Sequence, residues 1–357
     1  MMSVVYRRNV VFAFICIMFI FAASCSNKEN LFMSGIAIKK RAKPDAEITL
    51  SPYESITSAT LDIARSIQVK IDSFLVFSTA SNAFSFMVYN ENADSVVLVF
   101  PSKGRGPDEQ LLSTITQVRR NNGSVEIDVL GLNEHTILTI DFYRSIAQRH
   151  PVVIKRTELP QNTTYAHSFG ESLAGIVLFD EYGYTLQVFN AGSMEREDLM
   201  IPFGFDVDLG FVTSTCIMKE DGTKCLWAMR WMNKFNILDL ENLNKSASFS
   251  TARRIVTDKQ LYADISEMHP ASVTTYYTGA QVTNSDVFLL YRGFSNDEAN
   301  NRKQMEIQNF SWEGHFKNRY LIKEIVDSFV VSDDASTVYG YSWDESKIYK
   351  YSLMPLE

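Results

Sequence analysis

From residue 73 onward the chain repeats itself. Six times it runs two apolar stretches around a turn: "SFLVFSTASNAFSFMVYN" from 73, "VEIDVLGLNEHTILTID" from 125, "LAGIVLFDEYGYTLQVFN" from 173, "KCLWAMRWMNKFNILDL" from 224, "DVFLLYRGFSNDE…QMEIQNFSW" from 286 and "STVYGYSWDESKIYKYSL" from 336. The starts lie 52, 48, 51, 62 and 50 residues apart, and the longest step carries the extra stretch "DKQLYADISEMHPASVTTYYTG". Short Val, Ile, Phe, Tyr and Leu runs broken by Gly, Asn and Asp, with no sustained 3.6-residue pattern, read as an all-β chain. Four-stranded units of about 40 to 50 residues are the signature of a β-propeller. Six repeats predict a six-bladed β-propeller over residues 34–357. The first stretch of each pair is the more apolar, which places it along the central channel. The second often ends in a turn-forming carboxamide or carboxylate, at Asn90, Asp141, Asn190 and Asp239.

A ring of blades must close, because an open end exposes unpaired strand edges. The sixth unit stops at "IYKYSLMPLE", too soon to supply its own outer strands. Closure by an N-terminal strand completing the last blade is therefore expected, from "SGIAIKK" and "AEITLSP" within 34–52. The stretch "ESITSATLDIARSIQ", 54–68, has an alternative reading as a short amphipathic helix.

The N-terminus carries Arg7 and Arg8 and then fourteen uninterrupted apolar residues, Val10 to Ala23. That is the length of a signal peptide and short of the ~20 residues a spanning helix needs. The following Ala22, Ala23, Ser24 and Cys25 resemble the lipobox of bacterial lipoproteins, which implies cleavage after residue 24, lipidation of Cys25 and a tether over 25–33. No Asp follows Cys25, and by the same resemblance this implies the outer membrane, on its periplasmic or its cell-surface face. Loss of residues 1–24 changes the formal net charge from −8 to −10. An acidic surface disfavours nucleic acid and anionic lipid, so membrane contact is expected through the lipid anchor only.

Two cysteines remain, Cys216 and Cys225, flanking the turn signal "EDG". A four-residue loop over Lys219 to Gly222 would put them face to face as a disulfide. A two-residue Asp-Gly turn would set Cys216 opposite Trp227 and separate the thiols.

The stretch "FPSKGRGPDEQ", 100–110, most resembles a chemical motif. It lacks the Gly-x-x-x-x-Gly-Lys-Ser/Thr pattern and the Gly-x-Gly-x-x-Gly lead into a helix. Pro107 has no N–H to offer an anion, and Asp108 and Glu109 would repel one. The expectation is a structural turn in which Gly104 and Gly106 supply unusual φ, Pro107 fixes the exit and Glu109 caps. If a ligand touches this loop, Lys103 and Arg105 are its donors. Among the aromatics, those in "WAMRWMNKF" and "TTYYTG" stand out, with Trp231 and Tyr276 as candidate ligand contacts at a channel mouth. Histidines at 135, 150, 167, 269 and 315 form no metal-binding spacing, and no metal or other cofactor is expected. "GESLAG" lacks the strand-turn-helix setting of a nucleophile elbow, and "SDDASTVY" reads as a turn.

The signal and lipobox, the six repeats and the loop Gly104, Arg105, Gly106, Pro107, Asp108, Glu109 together resemble the TolB-like six-bladed β-propeller lipoproteins of Gram-negative bacteria, in which a Gly-x-Gly-Pro-x-Glu turn recurs. The resemblance implies a fold and a compartment and little chemistry. With no complete catalytic constellation, the leading expectation is a membrane-anchored module that binds or assembles a peptide, protein or glycan partner without catalysis. The alternative is a metal-dependent hydrolase or lactonase with an ion held by channel carboxylates.

Overall fold

The computed structural model describes residues 38–40, 43–57, 61–106, 108–121, 123–161, 163–169, 172–180, 183–190, 196–202, 213–251, 272–298 and 304–354. The signal segment, Cys25, the tether, Pro107, His269 and most of the inserted stretch after 258 lie outside them.

Three short N-terminal strands come first: β1 (Ile38–Lys40), β2 (Ala46–Thr49) and β3 (Glu54–Thr57). The remaining strands build six sheets, each an antiparallel meander in chain order. Sheet I holds β4 (Ala64–Ile71), β5 (Phe74–Thr79), β6 (Phe84–Asn90) and β7 (Ser95–Ser102). Sheet II holds β8 (Ser113–Asn121), β9 (Ser124–Gly131), β10 (Thr136–Asp141) and β11 (Val153–Glu158), with helix α1 (Phe142–Gln148) between the last two. Sheet III holds β12 (Thr163–Phe169), β13 (Ser172–Asp180), β14 (Gly183–Asn190) and β15 (Arg196–Pro202). Sheet IV holds β16 (Thr213–Met218), β17 (Lys224–Met229), β18 (Phe235–Asp239) and β19 (Ala247–Ser250). Sheet V holds β20 (Thr275–Val282), β21 (Asp286–Phe294), β22 (Met305–Ser311) and β23 (Phe316–Ile322). Sheet VI has three strands of its own, β24 (Ser328–Val331), β25 (Thr337–Ser342) and β26 (Lys347–Ser352). The arrangement is a β-propeller.

The apolar stretches that repeat in the sequence are the two middle strands of each sheet, and here the structure corrects the expectation that the more apolar one lines the channel. β6, β10, β17 and β18 are buried along nearly their whole length, because each has a strand on both edges and a neighbouring sheet on both faces. The innermost strand is the first of each sheet. It has a strand on one edge only and is more polar, as in "ARSIQVKI" of β4 and "STITQVRRN" of β8.

The core is divided among the sheet interfaces. Val76, Phe86 and Val88 of sheet I pack against Val125, Ile127 and Ile140 of sheet II. Phe235 and Phe249 of sheet IV meet Tyr277, Phe310 and Phe316 of sheet V. Leu290, Ile307 and Ile322 of sheet V meet Phe329, Val338 and Tyr351 of sheet VI. Leu75, Phe77 and Met87 of sheet I meet Val330, Tyr341 and Ile348 of sheet VI.

The N-terminal segment runs along three successive outer edges. β1 adds to β19 and β2 to β23, both in parallel, and β3 pairs antiparallel with β26, aligning Ile56 with Ile348 and Glu54 with Lys350. The strand that completes sheet VI is thus 54–57, and the 34–52 region supplies fifth strands to sheets IV and V. The helical reading of 54–68 is also overturned. Ser-Ile-Thr (55–57) and Ser-Ile-Gln-Val (66–69) alternate polar and apolar residues, and each finds a strand edge to join.

Turn chemistry closes the repeats. Asn90 Oδ1 accepts from the N–H groups of Asn92 and Ala93, Asp141 Oδ1 caps α1 through the Arg144 N–H, and Asp239 Oδ1 accepts from the Asn242 N–H. The Asn190 side chain lies outside the described set.

Candidate functional site

The innermost strands all run the same way, so their N-terminal ends gather at one mouth of the channel and their C-terminal ends at the other. The meander then puts the loops between second and third strands, and those linking one sheet to the next, on the first mouth's face. That face is called here the entry face.

Between the six innermost strands lies a cavity of about 780 Å³, within the size range of small-ligand sites. Its wall carries Ser66 and Gln68 from β4, Thr116 from β8, Tyr165 and His167 from β12, Cys216 from β16, Gln281 from β20 and Ser328 from β24. The middle of the wall carries no charged side chain and mixes these polar groups with Ile67, Ile115, Ile217 and Phe329. Its carboxylates sit toward the two ends: Asp327 at the entry face, and Glu220 and Asp333 at the far face, where Asp333 pairs with Arg120. Burial raises the pKa of Asp327 and of Asp333, the latter opposed by Arg120. Among the described residues no three His, Cys, Asp or Glu side chains come close enough to hold a metal ion.

His167 was passed over in the sequence as one of five scattered histidines. It is 3 % exposed on the cavity wall, and neither ring nitrogen has a hydrogen-bond partner. Burial drives its pKa down to about 4, against a smaller opposing pull from Asp128, so the ring is neutral at pH 7. Its signal was present in "TTYAHSF": Tyr165 and His167 occupy alternate positions of a channel-edge strand.

Cys216 and Cys225 follow the register of the two-residue turn, with Cys216 opposite Trp227 and Met218 opposite Cys225. The thiols are nevertheless not separated. They are diagonal neighbours on one face of the sheet, and their sulfurs lie 3.3 Å apart, unbonded. Burial pushes the Cys216 thiol well above its ordinary pKa.

The 100–110 loop is closed by its own carboxylate. Glu109 Oε2 accepts from the Gly106 N–H at 2.8 Å, in the seat an anion would take. Neither Gly104 nor Gly106 has a positive φ, which corrects the reading that they supply unusual backbone angles. Their role is close approach: a Cβ on Gly104 would stand 2.0 Å from Glu109 Oε2. Gln110 is fully buried and donates to the Val129 and Thr136 carbonyls, anchoring the loop to sheet II.

All four candidate ligand residues lie on the entry face, in two groups. Lys103 and Arg105 are on the loop between sheets I and II. The Lys103 ammonium donates to the Ser81 carbonyl at 2.5 Å, and Arg105 is exposed. Trp231 and Tyr276 sit together across the cavity, on sheets IV and V. The Tyr276 N–H donates to the Arg230 carbonyl at 2.7 Å, and the Arg230 guanidinium lies 5.3 Å from the Trp231 ring centre. Their sequence neighbours Trp227 and Tyr277 are core. The sequence reading missed Arg65, Arg230, Arg292 and Trp343, which share this face. Arg65 stacks 4.2 Å over Trp343, itself 45 % exposed, and Arg292 lies 4.7 Å over Phe294.

No family model matches the chain, and no curated protein matches it in sequence. Among solved structures it is similar to a member of the DUF4221 family from Bacteroides vulgatus, at 9 % identity and a TM-score of 0.52, covering 85 % of this chain and 97 % of that one. It is also similar to BF0058 of Bacteroides fragilis NCTC 9343, whose name places it among exported proteins, at 13 % identity and a TM-score of 0.51, covering 85 % and 88 %. A weaker likeness, with a TM-score of 0.44 and 10 % identity, is to the β-propeller domain of Cps50 (Swd1) from Myceliophteria thermophila, covering 85 % of this chain and 100 % of that one. These likenesses concern the fold alone.

Proposed function

We propose that the protein is a non-catalytic binding module that captures a protein partner on the entry face of a six-bladed ring. The observation that carries this reading is the gathering of exposed Arg65, Arg105, Arg230 and Trp343, with half-buried Trp231 and Tyr276, around one mouth of the cavity. Six hydrogen-bonded sheets and the β3–β26 pairing support six blades and closure by the chain's beginning. The lipobox-like Cys25 and the preceding apolar run support an outer-membrane lipoprotein of the TolB-like kind, held by its lipid. The described residues contain no helix long and apolar enough to cross a membrane. A hydrolase or lactonase would call for two or more carboxylates at one depth inside the channel with an ion between them; of the cavity's carboxylates, Asp327 lies at the entry end, and at the far end Asp333 is paired with Arg120.

Photo-crosslinking tests the reading. A photoreactive residue placed at Arg105 or Trp343 is expected to trap a partner in cells, and the same residue at Glu220 or Asn284 on the opposite face is not. Crosslinks confined to the opposite face would reject it.

A further inference from the structure

Both faces carry ion pairs, Arg156 with Asp108 of the entry-face loop among them, but a group of entry-face arginines is left out of them. Away from the entry face, Lys70, Arg120, Lys219, Lys224 and Lys317 each lie within 4 Å of a carboxylate. On the entry face the guanidinium groups of Arg65, Arg105, Arg230 and Arg292 have none within that distance among the described residues, in a chain with eight more acidic than basic residues. Three of them lie against aromatic rings instead: Arg65 over Trp343, Arg230 beside Trp231 and Arg292 over Phe294. An arginine stacked in this way keeps its planar donor fork free for an incoming acid.

Arg292 carries the argument furthest. Its Nε is buried without a hydrogen-bond partner, a costly arrangement for a charged donor. Burial lowers the pKa of its guanidinium, and the like charge of Arg230 lowers it further, while Asp327 and Asp344 pull the other way. Neither acid relieves it by contact. An Asp327 oxygen already accepts from the Trp343 N–H at 2.8 Å. An arriving carboxylate would therefore stabilise a group that the free protein leaves unsatisfied.

We propose that this arc of arginines, from Arg230 and Arg292 past Trp343 to Arg65, docks an acidic segment of the protein partner, with Asp or Glu carboxylates on the guanidinium groups and interleaved apolar side chains against Trp231, Tyr276 and Trp343. The proposal rests on the binding-module reading. Three cations spread over sheets IV, V and I, with Trp343 of sheet VI between them, suit an extended chain bearing several carboxylates, and a neutral glycan would leave them unpaired.

The test is fluorescence anisotropy on the full mature chain with a fluorescein-labelled peptide alternating Glu and Tyr, and its Gln-Tyr counterpart. The acidic peptide is expected to bind, weaken with added sodium chloride, and lose about tenfold or more in affinity with Arg230→Gln or Arg292→Gln. Lys155→Gln, on the outer strand β11, is expected to leave binding unchanged. Removing an unsatisfied buried charge should leave the melting midpoint of the Arg292→Gln variant equal or higher, which separates lost docking from lost folding. Equal binding of the Gln-Tyr peptide, or unchanged affinity in both arginine variants, overturns the proposal. So does displacement of the acidic peptide by inorganic phosphate at matched concentration, since that would mark a simple anion site. If entry-face crosslinks persist while the acidic peptide fails to bind, the binding-module reading stands and the acidic-segment proposal falls.

Discussion

At the scale of single residues, the cavity wall and the 100–110 loop make opposite use of burial. His167 titrates near 4 because its charged form would sit dry on the wall. The linkage has a definite sign. Below the ordinary value of 6.5 the unfolded chain takes up a proton that the folded chain refuses until about pH 4. Stability is therefore complete above 6.5 and falls as the pH drops toward 4, by about 3 kcal/mol in all. Urea denaturation from pH 7 to 4 should show this acid limb, and His167→Leu should flatten it. An identical slope in the variant would mean that other groups govern acid unfolding. In the loop, Gly104→Ala drives a methyl group into Glu109 and should cost about 1–2 kcal/mol by displacing the carboxylate from the Gly106 N–H. Glu109→Ala should cost a similar amount. The double variant should be little worse than either single one, because both break the same contact; full additivity in chemical denaturation would show that the glycine serves something else. The thiols of Cys225, which is buried, and Cys216, half-buried on the cavity wall with its pKa raised, touch diagonally and should resist alkylation in the native state. Exchange with a disulfide oxidant would bond them, each sulfur losing its proton as the oxidant is reduced to two thiols. Neither cysteine should then be alkylated in denaturant until reductant is added, and immediate labelling of both would reject the bridge.

At the scale of elements, the seam between sheets VI and I depends on a buried charge cluster. Lys70 of β4 meets Glu91 at 2.8 Å, Lys350 of β26 meets Glu91 at 2.9 Å and Glu54 of β3 at 3.0 Å, and both ammonium groups face the Tyr339 ring. Glu91 is only 9 % exposed, while Glu54 is 49 % exposed. Glu91→Ala should therefore strand the buried Lys70, leave Lys350 only the half-exposed Glu54, and cost about 3–5 kcal/mol, against about 0–1 kcal/mol for Glu54→Ala. A reversed order in urea unfolding would show that β3 is held by its side chain and the seam is not. Burial lowers the pKa of Lys350, but hydrogen bonds to Glu91 and Glu54 raise it by more. Its contribution is thus complete below about 10.5 and lost only as the pH climbs through the higher folded value. How far these elements could be read from sequence follows from their environments. The middle strands declare themselves because covering on both faces demands long apolar runs such as "FSFMVYN" and "TILTID". The innermost strands face a polar cavity, so β4 and β8 mix Ser, Gln, Thr and Arg into patterns that resemble loops or a helix. β1, β2 and β3 have three or four residues each, and backbone pairing at an edge imposes almost no sequence signature. Arg105 was legible from its loop, but Arg65, Arg230 and Arg292 were not, because nothing in their local sequence marks the rings of Trp343, Trp231 and Phe294 as their partners.

At the scale of the whole molecule, the N-terminal segment is a strap whose parts are unequal. β1 and β2 lie in parallel outside sheets that already possess four antiparallel strands, whereas β3 is the fourth strand of a sheet that has only three of its own. Removing the first two should cost local pairing and the Arg319–Glu47 contact at 2.9 Å. Removing the third should uncover β26, where Ile348 and Lys350 would present free N–H and C=O groups along an open edge. A chain shortened to begin at residue 51 is therefore expected to stay monomeric on size exclusion and to melt in one cooperative transition, a little below the longer chain. A chain beginning at residue 59 is expected to self-associate or melt broadly, because the sheet VI to sheet I seam loses both its fourth strand and the Glu54 partner of Lys350. Addition of a synthetic peptide covering residues 51–58 should restore a monomer if strand pairing is what was lost. Indistinguishable behaviour of the two shortened chains would remove β3 from its closing role, and with it the account of how a chain that ends in mid-sheet completes its ring.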